Sequence, residues 1–181
     1  MSEKTLQLSR IEIESQNGLA LRQLVPGVLE DADAYFGLVQ NNRDHLKQAH
    51  RGGSDKTAEK YQTVEDVHKS ILDPEDPFKL RFGIWDQDNM VGSINLTPKE
   101  NHEAEIGYWV GKKHIGKGYA AQAIKLLSGY AFEKQGADLV FAHVFVGNEA
   151  SKRSLEKAGF GFVETFQRNG EQLWVYQLTK P

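Results

Sequence analysis

The chain has 181 residues, 39% hydrophobic and 26% charged, with a formal net charge of −3. That balance describes an ordinary globular protein in a single domain spanning residues 1–181, too weakly charged to leave a nucleic-acid footprint. The absence of cysteine excludes disulfides and thiol nucleophiles, and no apolar run approaches the roughly 20 residues of a membrane span, so a cytoplasmic protein with no membrane partner is expected. The opening MSEKTLQLSR lacks the apolar centre of a signal peptide, which agrees.

The first segment alternates: Leu6 and Leu8, Ile11 and Ile13, then Leu19 and Leu21, around an Asn-Gly hairpin signal in SQNG at 15–18. One or two strands before Pro26 follow from it. Along LEDADAYFGLVQNNRDHL, Leu29, Ala32, Tyr35, Phe36 and Val39 fall near helical spacing. The polar, glycine-bearing stretch 50–61 reads as a loop. Thr63 opens T-x-x-D, a capping-box start for a helix through Ile71 and Leu72 that DPEDP at 73–77 stops.

From Phe78 the pattern turns to strands. FKLRFGIW and MVGSINLT form a hairpin around DQDN, and AEIGYWV at 104–110 is a third strand. Ala120, Ile124, Leu127 and Ala131 then sit at i, i+4, i+7 and i+11 of a helix. LVFAHVFV at 139–146 is near-continuously apolar, which predicts a strand buried on both faces. Asn148 can cap a further helix ending at Gly159, and two last strands flank Asn169 and Gly170. The order predicts an α/β (α+β) fold with a mixed sheet.

One stretch, GKKHIGKGYA at 111–120, fits several phosphate-binding templates. As a P-loop it has Gly111, Gly116 and Lys117, but the next residue is Gly118 where a Ser or Thr hydroxyl should hold magnesium. As a dinucleotide fingerprint it lacks the strand running straight into the first glycine, because GKKH intervenes after Val110. The third template is a strand, a short basic loop, then Gly-x-Gly opening a helix. There the glycines let the backbone approach an anion, and first-turn N–H groups and the helix dipole face it without a metal. Lys112, Lys113 and Lys117 add positive charge. On this stretch alone, a glycine-rich turn with solvated lysines fits equally well.

Two distant stretches together resemble a known family. EIGYWVGKKHIGKGYAAQAI at 105–124 is similar to the acetyl-CoA pyrophosphate loop of the GCN5-related N-acetyltransferases (GNAT), and NEASKRSLEKAGF at 148–160 to their C-terminal motif N-x-x-S-x-x-x-L-E-K-x-G-F. One helix and one buried strand separate the two motifs, as in that family. The resemblance is nearest to the RimJ/RimL-like branch, which acetylates protein N-termini, including those of ribosomal proteins. It implies a mixed, mostly antiparallel central sheet flanked by helices, with acetyl-CoA as cosubstrate and no metal. The implied cofactor contacts are Trp109, Val110, Lys113, Gly116, Lys117, Gly118, Tyr119, Ala120, Ala121, Asn148 and Ser151. The sequence departs from the family at Ile115, where Arg or Gln is common, and at Leu155, where many members carry a tyrosine acid.

The implied reaction is attack of an amine on the acetyl thioester. An α-amine titrates near 7.7–8.0 and a lysine amine near 10.4, so at pH 7 roughly a tenth of α-amines are already neutral against about one lysine in a few thousand. A protein N-terminus therefore asks little of a base, and a carboxylate acting through water could suffice. Glu105 is the candidate, with Gly107 expected to leave room beside it; its structural alternative is a solvated strand glutamate pairing with a nearby lysine. The resemblance implies carbonyl polarisation by a backbone N–H near Val110 and proton donation to the departing thiolate by Ser151, whose alternative is a capping contact. His114 is expected to be an exposed loop residue. Small amines such as a polyamine, amino acid or antibiotic are alternative acceptors, and a non-catalytic acetyl-CoA sensor is the alternative outside enzymology. A homo-oligomer, dimer or larger, follows from the resemblance.

Overall fold

The computed structural model describes residues 10–25, 28–49, 60–71 and 78–181. Leu6, Leu8, the loop at 50–59, Leu72 and the DPEDP stop lie outside the described residues.

Among the described residues, eight strands form one sheet in the order β1-β2-β3-β4-β5-β6-β8-β7. They are β1 Glu12–Glu14, β2 Leu19–Gln23, β3 Leu80–Asp86, β4 Asn89–Pro98, β5 Glu103–Val110, β6 Leu139–Phe145, β7 Gly161–Arg168 and β8 Glu171–Thr179. Neighbours pair antiparallel, and β5 with β6 is parallel. The hairpins follow from local turn chemistry. Gly18 and Gly170 both sit at φ +83°, which only glycine adopts without strain.

Among the described residues, five α-helices cover the sheet: α1 Leu29–Gln40, α2 Arg43–Ala49, α3 Val64–Ile71, α4 Tyr119–Lys134 and α5 Glu149–Lys157. Strand alternation divides the apolar residues between two cores. Phe82, Ile84, Ile94, Leu96 and Ile106 pack with Ala123, Ile124 and Leu127 of α4 and Leu155 of α5. On the other face Trp85 and Met90 pack with Tyr35, Val39, Leu46 and Val67 of α1, α2 and α3. The Thr63 capping box forms: Thr63 Oγ1 accepts from the Asp66 N–H at 3.2 Å, and Asp66 Oδ2 accepts from the Thr63 N–H at 2.8 Å. Among the described residues, no helix is long and apolar enough to cross a membrane.

Two expectations change. The helical pattern from Leu29 to Leu46 breaks into α1 and α2 at Asn41 and Asn42, where Asn42 Nδ2 donates to the Leu38 carbonyl at 2.7 Å and competes with a continuing helix. β6 is not buried on both faces. Val140, Ala142 and Val144 are buried, while Leu139, Phe141, His143 and Phe145 alternate with them and are half-buried. An apolar run conceals that period, because Phe and Leu on the half-open face look like core.

Candidate active site

The site begins where the parallel pair fails. β5 and β6 are in register at Glu103–Leu139, Ala104–Val140 and Glu105–Phe141 and no further. Past that point β5 stays bound to β4 as far as Val110, and β6 to β8 as far as Phe145. Each strand is held by its outer neighbour, so a wedge opens between them. The Gly111 N–H donates to the Val91 carbonyl at 2.9 Å. N–H directions alternate along an antiparallel strand, so those of Tyr108 and Val110 point away from β4, into the wedge. On the α4 face the Tyr108 hydroxyl donates to the Ser151 carbonyl at 3.0 Å and ties β5 to the start of α5. Burial raises the pKa of this phenol.

β5 leads directly into the basic loop. Gly111 is buried against Asn42, whose Nδ2 lies 3.2 Å from where a Cβ would stand. The Lys112 N–H donates to Asn42 Oδ1 at 2.8 Å, which fixes the loop's entry to the α1–α2 break. A 3₁₀ turn follows at Lys112–His114. His114 is half-buried there, not fully exposed, with its ring centroid 6.2 Å from that of Tyr119. Gly116 and Gly118 both adopt φ +82°. A Cβ on Gly116 would meet nothing within 4 Å, and one on Gly118 only Gln122 Nε2 at 3.7 Å. These glycines answer a backbone need, and the space beside them is open.

α4 opens onto that space. Its first intrahelical bond runs from the Gln122 N–H to the Gly118 carbonyl at 3.1 Å. The N–H groups of Tyr119, Ala120 and Ala121 precede it and have no intrahelical acceptor, and no side chain caps the helix. Lys112, Lys113 and Lys117 are exposed around it. The Tyr119 hydroxyl donates to Asp86 at the end of β3, and that carboxylate raises the tyrosine's pKa. Donors, helix dipole and three lysines suit a pyrophosphate without a metal.

α5 starts at the far side of the wedge. Asn148 Oδ1 accepts from the Ser151 N–H at 3.1 Å, so Asn148 is an N-cap. The Ser151 hydroxyl is half-buried and makes no hydrogen bond among the described residues.

Glu105 stands on the opposite face, the one covered by α1–α3. Its Oε1 lies 2.9 Å from His143 Nδ1, and its Oε2 lies 3.1 Å from Lys99 Nζ. The hydrogen bond from His143 and the contact with Lys99 outweigh burial and hold the carboxyl down to about 2. The room expected beside Gly107 is filled by Asn95, whose Nδ2 lies 3.2 Å from a Cβ there. Trp109 is on this face too, its ring centroid 6.2 Å from that of Tyr35. Of the expected site residues, Glu105 and Trp109 stand on the α1–α3 face of β5, and Val110 leads in chain order into the loop and α4 start with Lys113, Gly116, Lys117, Gly118, Tyr119, Ala120 and Ala121. The α5 start with Asn148 and Ser151 meets β5 on its α4 face through Tyr108.

Sequence reasoning missed His143, Lys99, Asn42 and Asp86. His143 left one signal, an imidazole inside the apolar run LVFAHVFV. The other three become legible only when the strands are in register.

Comparison with known proteins fits this geometry. The acetyltransferase (GNAT) domain family matches residues 19–161. The probable N-acetyltransferase YjcK of Bacillus subtilis (strain 168) is 33% identical over 144 residues, covering 75% of this chain and 77% of that protein. The ribosomal-protein-serine acetyltransferase of Escherichia coli (strain K12) is 28% identical over 94 residues, covering 51% of this chain and 52% of its own. The solved structure of RimL, a ribosomal L7/L12 alpha-N-protein acetyltransferase in complex with coenzyme A, superposes with a TM-score of 0.77 at 20% identity, covering 93% of this chain and 98% of that one. At that identity the likeness shows the fold.

Proposed function

The chain belongs to the GNAT acetyltransferase family, and from that premise we propose that its acceptor is the N-terminal α-amine of a protein, of the ribosomal-protein kind. As a family member it is an N-acetyltransferase that uses acetyl-CoA. The observation that carries the reading is the continuity of the β5–β6 wedge with the glycine cradle and the uncapped α4 start. A cofactor with a pyrophosphate at one end and a reactive thioester at the other suits a strand edge that runs directly into an uncapped helix start.

Acetyl-CoA supplies the activated acetyl group. The chain's own residues do the rest. Gly116, Gly118 and the N–H groups of Tyr119, Ala120 and Ala121 hold the pyrophosphate, with Lys113 and Lys117 beside it. The edge N–H groups of Tyr108 and Val110 pair with the extended arm, and that of Val110 polarises the carbonyl, as a donor fixed before reaction does. Trp109 forms the wall of the wedge on the acceptor side, and Asn148 holds the start of α5 against the cofactor. The unengaged Ser151 hydroxyl gives a proton to the departing sulfur. Glu105, ionised across the physiological range, keeps a negative charge on the acceptor face. An α-amine suits this site because about a tenth of it is neutral at pH 7. The likeness to the Escherichia coli ribosomal-protein-serine acetyltransferase supports the same choice.

Free-thiol release from acetyl-CoA, measured over peptides with free N-termini and over small amines, tests the reading. Turnover with peptides and little with small amines is expected. Preference for a polyamine, amino acid or antibiotic overturns the acceptor class, and tight acetyl-CoA binding with no transfer to any amine identifies a sensor.

A further inference from the structure

We propose that His143 Nε2 is the proton acceptor of the reaction and that Glu105 is the residue that positions it; this rests on the acetyltransfer reading above. His143 sits on β6 two positions beyond Phe141, the last residue paired with β5, and so at the mouth of the wedge. Its side chain is 18% exposed and that of Glu105 27%, so the pair is sheltered yet reachable. The Phe141 and Phe166 rings flank the imidazole at centroid distances of 5.3 and 5.0 Å and restrict its rotation.

The hydrogen bond decides the tautomer. An ionised carboxylate only accepts, so with Glu105 Oε1 at 2.9 Å the proton sits on Nδ1. Nε2 then carries the lone pair. It makes no hydrogen bond among the described residues and is not sealed from solvent. This division of labour resembles a catalytic triad, where a buried carboxylate fixes the ring and steadies its protonated form while the other nitrogen takes the proton. Lys99 Nζ, on the second oxygen of Glu105, locks the carboxylate in turn. A carboxylate held this way is a poor base near neutral pH, whereas an imidazole is suited to that task.

Glu105 faces the ring from β5, and Lys99, just after β4, reaches it through Glu105. From β8 the facing residue is Val175, and in the same cross-strand row β7 presents Glu164. In the reaction the amine nitrogen bonds to the acetyl carbon as the carbon–sulfur bond breaks. One proton must leave the nitrogen and one must reach the sulfur. Nε2 takes the first and passes it to solvent; Ser151 or water supplies the second.

The test uses the full chain with acetyl-CoA and a lysine-free peptide bearing an N-terminal serine. His143→Gln can still donate to Glu105 but cannot take a proton. It should lower kcat/KM on the order of 10²-fold or more, with acetyl-CoA affinity by calorimetry within about twofold of wild type, a margin small beside the tenfold that 1.4 kcal/mol represents. The acidic limb of the pH–rate profile, read as a ratio to wild type so that the amine's own titration cancels, should vanish. Glu105→Gln should keep part of the activity with acetyl-CoA affinity intact, and its neutral imidazole should no longer be held to one tautomer in ¹⁵N NMR, because a carboxamide can donate as well as accept. ¹⁵N NMR of the wild-type imidazole should show the neutral ring protonated on Nδ1. Wild-type turnover in His143→Gln, or a neutral ring protonated on Nε2, overturns the proposal. A wild-type protein that binds acetyl-CoA and acetylates no amine instead contradicts the proposed function, and the proposal falls with it.

Discussion

The two sides of the wedge are built by different means. The proposed cofactor side is mostly backbone: two glycines at φ +82°, three helix N–H groups without intrahelical acceptors, and the edge amides of β5. Its chemistry resides in main-chain geometry, which a short contiguous sequence is enough to set. The proposed acceptor side is made of side chains from separate elements: Glu105 of β5, His143 of β6 and Lys99 just after β4. That arrangement exists only once β5 and β6 are in register. A backbone site should therefore fail through loss of binding, and a side-chain site through loss of rate with binding kept.

The strongest test of the comparison is Gly118→Val. A β-branched residue at φ +82° is severely strained, and its side chain would fill the approach to the α4 start. Acetyl-CoA affinity should fall by more than about 10²-fold in calorimetry, which is about 2.7 kcal/mol or more, while circular dichroism stays that of a folded protein. Normal affinity would remove the loop from the cofactor site.

Next in size is Ser151→Ala. If the hydroxyl serves the departing sulfur, turnover should drop by about 10²-fold, the low end for a positioned acid, with acetyl-CoA affinity roughly intact. Unchanged turnover would leave the α5 start with capping alone, since the Asn148 bond reaches only the Ser151 backbone.

The smallest effect probes the link between the sides. Asn42→Ala removes a buried acceptor from the Lys112 N–H and a donor from the Leu38 carbonyl. Losing buried partners of this kind costs about 1–3 kcal/mol, which should appear as a lower thermal midpoint and a few-fold weaker acetyl-CoA binding, with kcat little changed. A loss confined to kcat would mean that Asn42 serves the acceptor face and that the two sides are not separable.

The same division explains what the sequence disclosed. The capping box at Thr63, the Asn-Gly turns, the α4 periodicity and the Gly116–Gly118 loop are local signals, and each appears where expected. The break at Asn42 did not show, because apolar spacing continues across it and only the carboxamide bond to Leu38 marks the stop. The two-faced nature of β6 was hidden by Phe141 and Phe145, which are apolar but half-buried. Gly107 seemed to open space, yet its cross-strand partner Asn95 fills it, a fact of register. Glu105 was legible as a residue of interest, but its partner His143 lies 38 positions away along the chain.

One measurement addresses the central claim most directly. The wild-type protein is mixed with acetyl-CoA and a peptide carrying one free N-terminal α-amine and one internal lysine, and the acetylated position is located by fragmentation mass spectrometry. The account predicts acetylation at the N-terminal nitrogen with the lysine untouched. Acetylation of the lysine alone, or none while acetyl-CoA binds, would contradict it.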